Sequence, residues 1–281
     1  MGSVQKVVKV TMFHFRRELL SQKNIFLYFL MGIYIYSNMN GVVRLCSQVG
    51  ISASPAGYVF LMNDFIFQTT FLIGLVFIFS NAPFRDTMYS YIVHRVGSMC
   101  WEIGTILYIV LMSLLYVLYI IGISWLALKG NLEFTMEWGK IWGTLAKTTA
   151  AQQFEIPFSI NAYIIGKYSP GFGMFISALL EWICFVWIAL CIYLCNVMIK
   201  KGAGILAAGL FIFLDVMIYN SWTPWAYRFS PITLAQLSNY NREKLSYGIT
   251  LNYTWCFYGI TIVCFIIGII CARRRNYHEC N

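Results

Sequence analysis

Charge is what this chain has least of. Asp, Glu, Lys and Arg make up 11% of its 281 residues, against about 25% in a soluble domain, which excludes an ordinary water-soluble globule. Histidine occurs three times, as His14, His94 and His278, all outside the long apolar runs. There is no HExxH helix for a zinc protease, no GxSxG elbow and no GxxxxGK[ST] loop for a nucleotide, so catalysis by this chain alone is not expected. A disulfide framework is lacking too. Cys184, Cys191, Cys195, Cys256, Cys264 and Cys271 fall inside apolar runs, where cysteine behaves as a small hydrophobe. No His or carboxylate stands near Cys191 and Cys195 to complete a metal site. No metal and no cofactor are expected on this chain. The first apolar run ends without a small-residue cleavage site, so it reads as a span rather than a signal peptide.

What is present is apolar length: 59% of residues are hydrophobic. A membrane-spanning helix takes about 20 mostly apolar residues, because lipid offers backbone amides no partner outside the helix. Runs of that kind lie at roughly 24–44, 58–81, 103–128, 172–199, 202–221 and 252–272, which predicts an all-α integral membrane protein with six transmembrane helices in one domain, 1–281. The net charge of +9 orients it. Lys6, Lys9, Arg16, Arg17 and Lys23 precede the first run, Arg85 and Arg95 follow the second, Lys200 and Lys201 follow the fourth, and Arg273–Arg275 follow the last. With alternating spans these share one side, and short basic loops stay cytoplasmic. Both termini are therefore expected inside, with the basic residues meeting anionic lipid and not nucleic acid.

Segment 4–21 mixes Val7, Val8, Val10, Met12 and Phe13 with Lys6, Lys9, His14 and Arg16, the composition of a helix lying in the membrane interface. The loops 129–171 and 222–250 are expected outside. Their aromatics, Trp138, Trp142, Phe154, Phe158 and Tyr163 in one and Trp222, Trp225, Tyr227 and Phe229 in the other, suit the headgroup level. In the second, Ile232-Thr233-Leu234 is expected to dip back as a short re-entrant piece before the last span. Gly204 and Ala208 form a small-xxx-small pair that permits close helix approach, within the subunit or across a dimer.

Three acids, Asp64, Glu181 and Asp215, stand inside apolar runs. Each costs roughly 2.5–3.5 kcal/mol at mid-bilayer on insertion scales and requires a partner, a proton or water. They are the candidates for a polar pathway, a proton relay or interhelical hydrogen bonds.

The loop 83–101 runs from Pro83 through Phe84, Arg85, Asp86, Tyr89, Tyr91, Ile92, His94, Arg95 and Gly97 to Trp101. A short helix from about Asp86 to Val96 is expected, broken at Gly97-Ser98, with a mixed aromatic and basic surface fit to dock a cytoplasmic protein. At this loop, where Arg95-Val-Gly-Ser-Met-Cys-Trp-Glu-Ile-Gly-Thr-Ile-Leu107 enters the third span, and again at Arg228-Phe-Ser-Pro-Ile-Thr-Leu-Ala235, the chain resembles the membrane subunits of type-2 ABC exporters, the ABC-2 permease family. Where many members begin the loop Glu-Arg-Glu-x-Gly, this chain has Phe84-Arg-Asp-Thr-Met88, which suits the smaller bacterial permeases that move peptides. The resemblance implies an amphipathic elbow helix at 4–21, a cytoplasmic coupling helix, and pairing with a second permease copy or homologue. It also implies two separate cytoplasmic ATPase subunits holding ATP and Mg and contacting Phe84, Arg85, Asp86, Tyr89, Tyr91, His94, Arg95 and Gly97. An amphipathic or peptide substrate and a plasma-membrane location follow from the same likeness. Two other readings stay open: a proton-coupled secondary transporter using Glu181 and Asp215, and a non-transporting membrane sensor subunit.

Overall fold

A computed structural model describes residues 2–84, 88–135, 137–240 and 249–278. Regular structure among them is helical, apart from one isolated bridge between Ala53 and Leu132. The α-helices are α1 (Ser3–Leu19), α2 (Gln22–Val49), α3 (Gly57–Asn63), α4 (Phe65–Phe79), α5 (Tyr89–Val96), α6 (Ser98–Ala127), α7 (Gly139–Lys147), α8 (Ala150–Gln153), α9 (Ala162–Lys167), α10 (Pro170–Met198), α11 (Ala203–Tyr219), α12 (Pro231–Ala235) and α13 (Leu251–His278), and short 3-10 turns cover Pro224–Arg228 and Leu237–Tyr240.

Four of them, α2, α6, α10 and α13, are long and apolar enough to cross a membrane, and α3 with α4 makes a fifth if the two are taken as one broken span. The second run is not the continuous helix expected from 58 to 81: α3 and α4 meet at an angle of 83°. Asp64 is the cause. Its backbone is extended (φ −89°, ψ 130°), and its Oδ1 accepts from the amides of Ile66 at 3.1 Å and Phe67 at 3.4 Å. An aspartate so placed starts a new helix instead of continuing the old one. The fifth run likewise yields less than expected, a helix of 17 residues, at the lower limit of spanning length.

Helix α10 is the axle. It packs against α3, α4, α6, α11, α12 and α13, and 72% of its most apolar window is buried, against 11% for α13 at the periphery. Close approach to it is built on small residues. A Cβ on Gly204 would collide with the backbone of Ile192, and Ala208 is fully buried. The small-xxx-small pair of α11 is therefore consumed inside the subunit by α10. At the other side of the bundle α1 lies along α6, admitted by Gly104, where a Cβ would fall 2.7 Å from Val10.

The bundle has two ends. One holds α5 and the turns Leu20–Ser21, Ser80–Phe84 and Ile199–Gly202; the other holds α3, α7–α9 and α12. The segment 129–171 does more at that second end than line a wetted interface. Trp142, Phe158 and Trp138 are buried. The rings of Trp138 and Trp142 pack 5.3 and 5.2 Å from Phe60 of α3, and their indole N–H groups donate to Tyr168 O at 2.7 Å and Ser54 O at 3.0 Å. The apolar α3 needs such a cover, since all seven of its residues are buried. Trp222, Trp225 and Phe229, by contrast, remain exposed.

One side chain knots the first end. Asn196, near the close of α10, donates to Ala82 O at 2.7 Å and accepts from the amides of Gly202 at 3.0 Å and Gly204 at 2.8 Å. It thus joins the start of α11 to the loop that leads toward α5. Replacing Asn196 with Ala leaves three backbone groups without these partners. The folded state should lose about 1–3 kcal/mol, read as a lower melting temperature in detergent, whereas Ser47→Ala on the exposed side of α2 should leave it unchanged.

Candidate buried carboxyl site

The five residues of α12 are all buried, although a helix that short makes almost no hydrogen bonds of its own and leaves its carbonyls orphaned. Four of these carbonyls receive a side-chain donor, from α4, from α13 and from the residues just after α12. Tyr258 donates to Pro231 O at 2.5 Å, Gln68 to Ile232 O at 3.1 Å, Asn239 to Thr233 O at 3.0 Å, and Tyr240 to Leu234 O at 2.6 Å. Ser230 caps the other end, its Oγ accepting from Thr233 N at 3.3 Å, and Pro231 at the first helical position loses no bond there.

Two carboxyl groups meet this short helix. Glu181 sits on α10 about 17 Å from its start at 1.5 Å per residue, 0% exposed; Asp215 sits on α11, 3% exposed. Gln68 of α4 donates to Glu181 Oε1 at 2.6 Å with the same amide nitrogen that reaches Ile232 O. Its own carbonyl accepts from Gln236 at 2.6 Å. Thr233 donates its hydroxyl to Asp215 Oδ1 at 2.6 Å. Glu181 and Asp215 lie within electrostatic range of each other. Glu181 Oε2 and Asp215 Oδ2 have no hydrogen-bond partner, and the buried hydroxyls of Tyr58 and Ser177 have none either. Ser177 is one turn before Glu181 on α10, and Tyr58 of α3 lies in electrostatic range of it. Neither of the ion pairs described, Arg17–Glu18 and Arg44–Glu155, involves these acids.

Sequence reasoning picked out Glu181 and Asp215, and the fold brings them to one place. It grouped Asp64 with them, and there the structure differs. Asp64 is half-buried, a helix cap whose second oxygen accepts from Ser159 N at 3.1 Å and Ser159 Oγ at 3.3 Å, so it is fully used in holding the α3–α4 bend to the 129–171 segment. The groups that were missed are Gln68, Tyr58, Thr233 and Gln236. Only Gln68 carried a signal, as a lone amide in an otherwise apolar run.

At the opposite end, α5 is shorter than expected, starting at Tyr89, and Gly97 breaks it from α6 with φ 88°. Arg85 and Asp86 lie outside the described residues. Phe84 does not belong to an exposed surface: it is 2% exposed, 5.4 Å in ring distance from both His14 and Tyr108. Tyr89 is half-buried against Trp101 at 5.2 Å. Tyr91, His94, Arg95 and Gly97 are exposed. Beneath them is a polar cluster absent from the sequence reading. The inward stripe of α1 is Val10, Thr11, His14 and Glu18, not its more apolar residues. His14 Nε2 lies 3.1 Å from Thr105 Oγ1, and Glu102, 1% exposed, takes a close hydrogen bond from Tyr193 of α10. This cluster clamps α1 and α10 onto α6.

The carboxyl site can hold protons. It offers two carboxyl oxygens without a hydrogen-bond partner and no cationic side chain among the described residues, and no group of three His, Cys, Asp or Glu among them could hold a metal ion. Replacing Gln68 with Leu removes three hydrogen bonds at once and leaves Glu181 Oε1 and Ile232 O without them. The folded protein should lose about 1–3 kcal/mol, seen as a lower thermal midpoint in detergent; an unchanged midpoint would show that Gln68 does not carry the site. Compared with known protein families, curated proteins and solved structures, the chain matches none.

Proposed function

We propose that this chain is the membrane-spanning permease subunit of an ATP-driven exporter of the ABC-2 type. It would pair with a second permease and be driven by two separate cytoplasmic ATPase subunits that hold ATP and Mg. The observation that carries the reading is α5. It is a short helix with no buried residue, presenting Tyr91, His94 and Arg95 outward, yet fastened twice to α6, through Tyr89 against Trp101 and through Gly97, which leads directly into it. A helix hung this way has no role in the core and transmits any push on it to α6. Arg95 lies over the Tyr91 ring at 5.6 Å, so the exposed pair offers a partner one flat aromatic and one fixed charge. Such groups set register and association rate across an interface.

The remaining parts fit the same reading. Helix α1 against α6 takes the place of an elbow, with Val4, Val8 and Met12 exposed one turn apart for the acyl boundary and Lys9 and Arg16 for headgroups. Helix α11 serves as a sixth, short span, and buried α12 as the re-entrant piece. Basic residues at the α5 end support a cytoplasmic side for it and for both termini, and a plasma-membrane location belongs to the same reading. An amphipathic or peptide substrate suits the exposed Trp222, Trp225 and Phe229 at the other end. The buried acids favour a second reading, a carrier driven by protons through Glu181 and Asp215.

A mild-detergent pull-down of the intact chain from its native membrane separates the two. The exporter reading expects a stoichiometric soluble protein with a P-loop; reproducible absence of one argues for the carrier. With that partner in hand, Tyr91→Ala with Arg95→Ala should reduce permease-stimulated ATP hydrolysis at least tenfold in proteoliposomes while thermal stability stays unchanged, because neither side chain is in the core. Tyr89→Ala should instead lower stability.

A further inference from the structure

We propose that Glu181 and Asp215 form a proton-loaded latch that holds α12 in the bundle and lets it out when the protons leave. The inference concerns the seating of α12 and holds whichever energy source drives the protein.

The argument begins with what a buried carboxyl group requires. Each acid has one oxygen in a close hydrogen bond and a second without one, and the Ser230 hydroxyl that caps α12 also lies in reach of Asp215. An ionised carboxylate in an apolar interior needs a paired cation or several donors, and without them the group neutralises. The titratable neighbours from the surrounding helices are Tyr58 of α3, Cys184 of α10 and Tyr258 of α13, which lie in electrostatic range of Glu181, and Tyr240, which closes the far side of α12. All four are neutral acids; no lysine, arginine or histidine faces the pair from any described element. Two protons balance the site.

The same acids are the grip on α12. Asp215 takes the Thr233 hydroxyl, and Glu181 fixes the Gln68 amide that holds Ile232 O. Of these contacts only the carboxyl oxygens can change charge. When α12 leaves, its first turn no longer covers the carboxyls, water reaches them, and each O–H gives its proton to water. Seating binds protons and release frees them. The sign follows: acid favours the seated helix, and each proton freed makes opening about tenfold more favourable per pH unit, once the exposed carboxyls are ionised in the opened state. Asp64, the third intramembrane acid, takes no part, because backbone and serine donors satisfy both its oxygens.

The test is hydrogen exchange of amides 232–240 in the full chain in detergent from pH 5 to 9, corrected for the intrinsic pH dependence of exchange. The latch expects protection to fall about tenfold per pH unit for one proton freed, or about a hundredfold for two. It expects a flat corrected profile in Glu181→Gln with Asp215→Asn, whose amides mimic the neutral acids. Infrared spectra should show a protonated-carboxyl band at neutral pH that diminishes in either single variant. A flat profile in the wild-type protein overturns the latch, and this holds even if the double variant does not fold. An infrared band unaltered in both single variants overturns it as well. No ATPase enters these measurements, so their failure leaves the exporter reading standing, and failure of the pull-down leaves the latch standing.

Discussion

A five-residue helix cannot live in an apolar interior on its own hydrogen bonds, and the second end of this molecule is organised around that constraint. Lipid and packed side chains give orphaned carbonyls nothing to bond, so α12 is stable only where α4, α13 and the residues just after it deliver donors. Gln68 is the most heavily committed of these, touching Glu181, Ile232 and Gln236 together. Its position depends in turn on the bend at Asp64, which aims the first turn of α4 at α12 rather than letting one straight helix pass by. The bend is kept by donors from Ser159, so the long segment between α6 and α10 contributes to the site without touching the acids.

The limits of what the sequence revealed follow from the same physics. Apolar length is additive along the chain, so the long helices α2, α6, α10 and α13 were legible from composition alone. A break within an apolar run is a contest between one capping side chain and the hydrophobic signal of its neighbours. Asp64 was visible there as a costly acid but not as a cap, since the amides it accepts are the same in every sequence. The aromatic residues of 129–171 mislead for a related reason: tryptophan suits both an interface and a core, and only the presence of α3, apolar on all sides, decides for the core. Glu181 and Asp215 stood out because acids in lipid are expensive. Their partners Tyr58 and Thr233 did not, being residues that any span tolerates.

The polar cluster at the first end was hidden by helix geometry. Segment 4–21 reads as apolar residues scattered among cations, which suits a helix in the membrane interface but does not say which side chains face the bundle. Here the inward stripe is Thr11, His14 and Glu18 with Val10, because the facing surface of α6 presents Thr105 and Glu102 and the gap at Gly104. Polar side chains buried against polar side chains specify one register, whereas an apolar stripe would slide. That is a reason for a peripheral helix to pack polar side in while its exposed Val4, Val8 and Met12 meet acyl chains.

The two ends are joined by stiff elements that each reach both. Helix α10 carries Glu181 near its middle and Tyr193 and Asn196 toward the α5 end; α4 carries Gln68 in its first turn and runs on toward Ala82, whose carbonyl Asn196 holds. A displacement of the α5 end can therefore reach α12 by two routes. One passes along α4 to Gln68. The other passes through Asn196 to Gly202 and Gly204, and along α11 to Asp215. Both routes terminate on the hydrogen bonds that seat α12, and packed interiors transmit such shifts because they compress little. Transmission also requires two discrete arrangements at the receiving end. A short helix held by two groups that can each lose a proton supplies them: seated with neutral acids, or released with charged ones. With α5 proposed as a lever at one end and α12 proposed as a bistable element at the other, the α10–α11 packing at Gly204 keeps the connection between them from going slack.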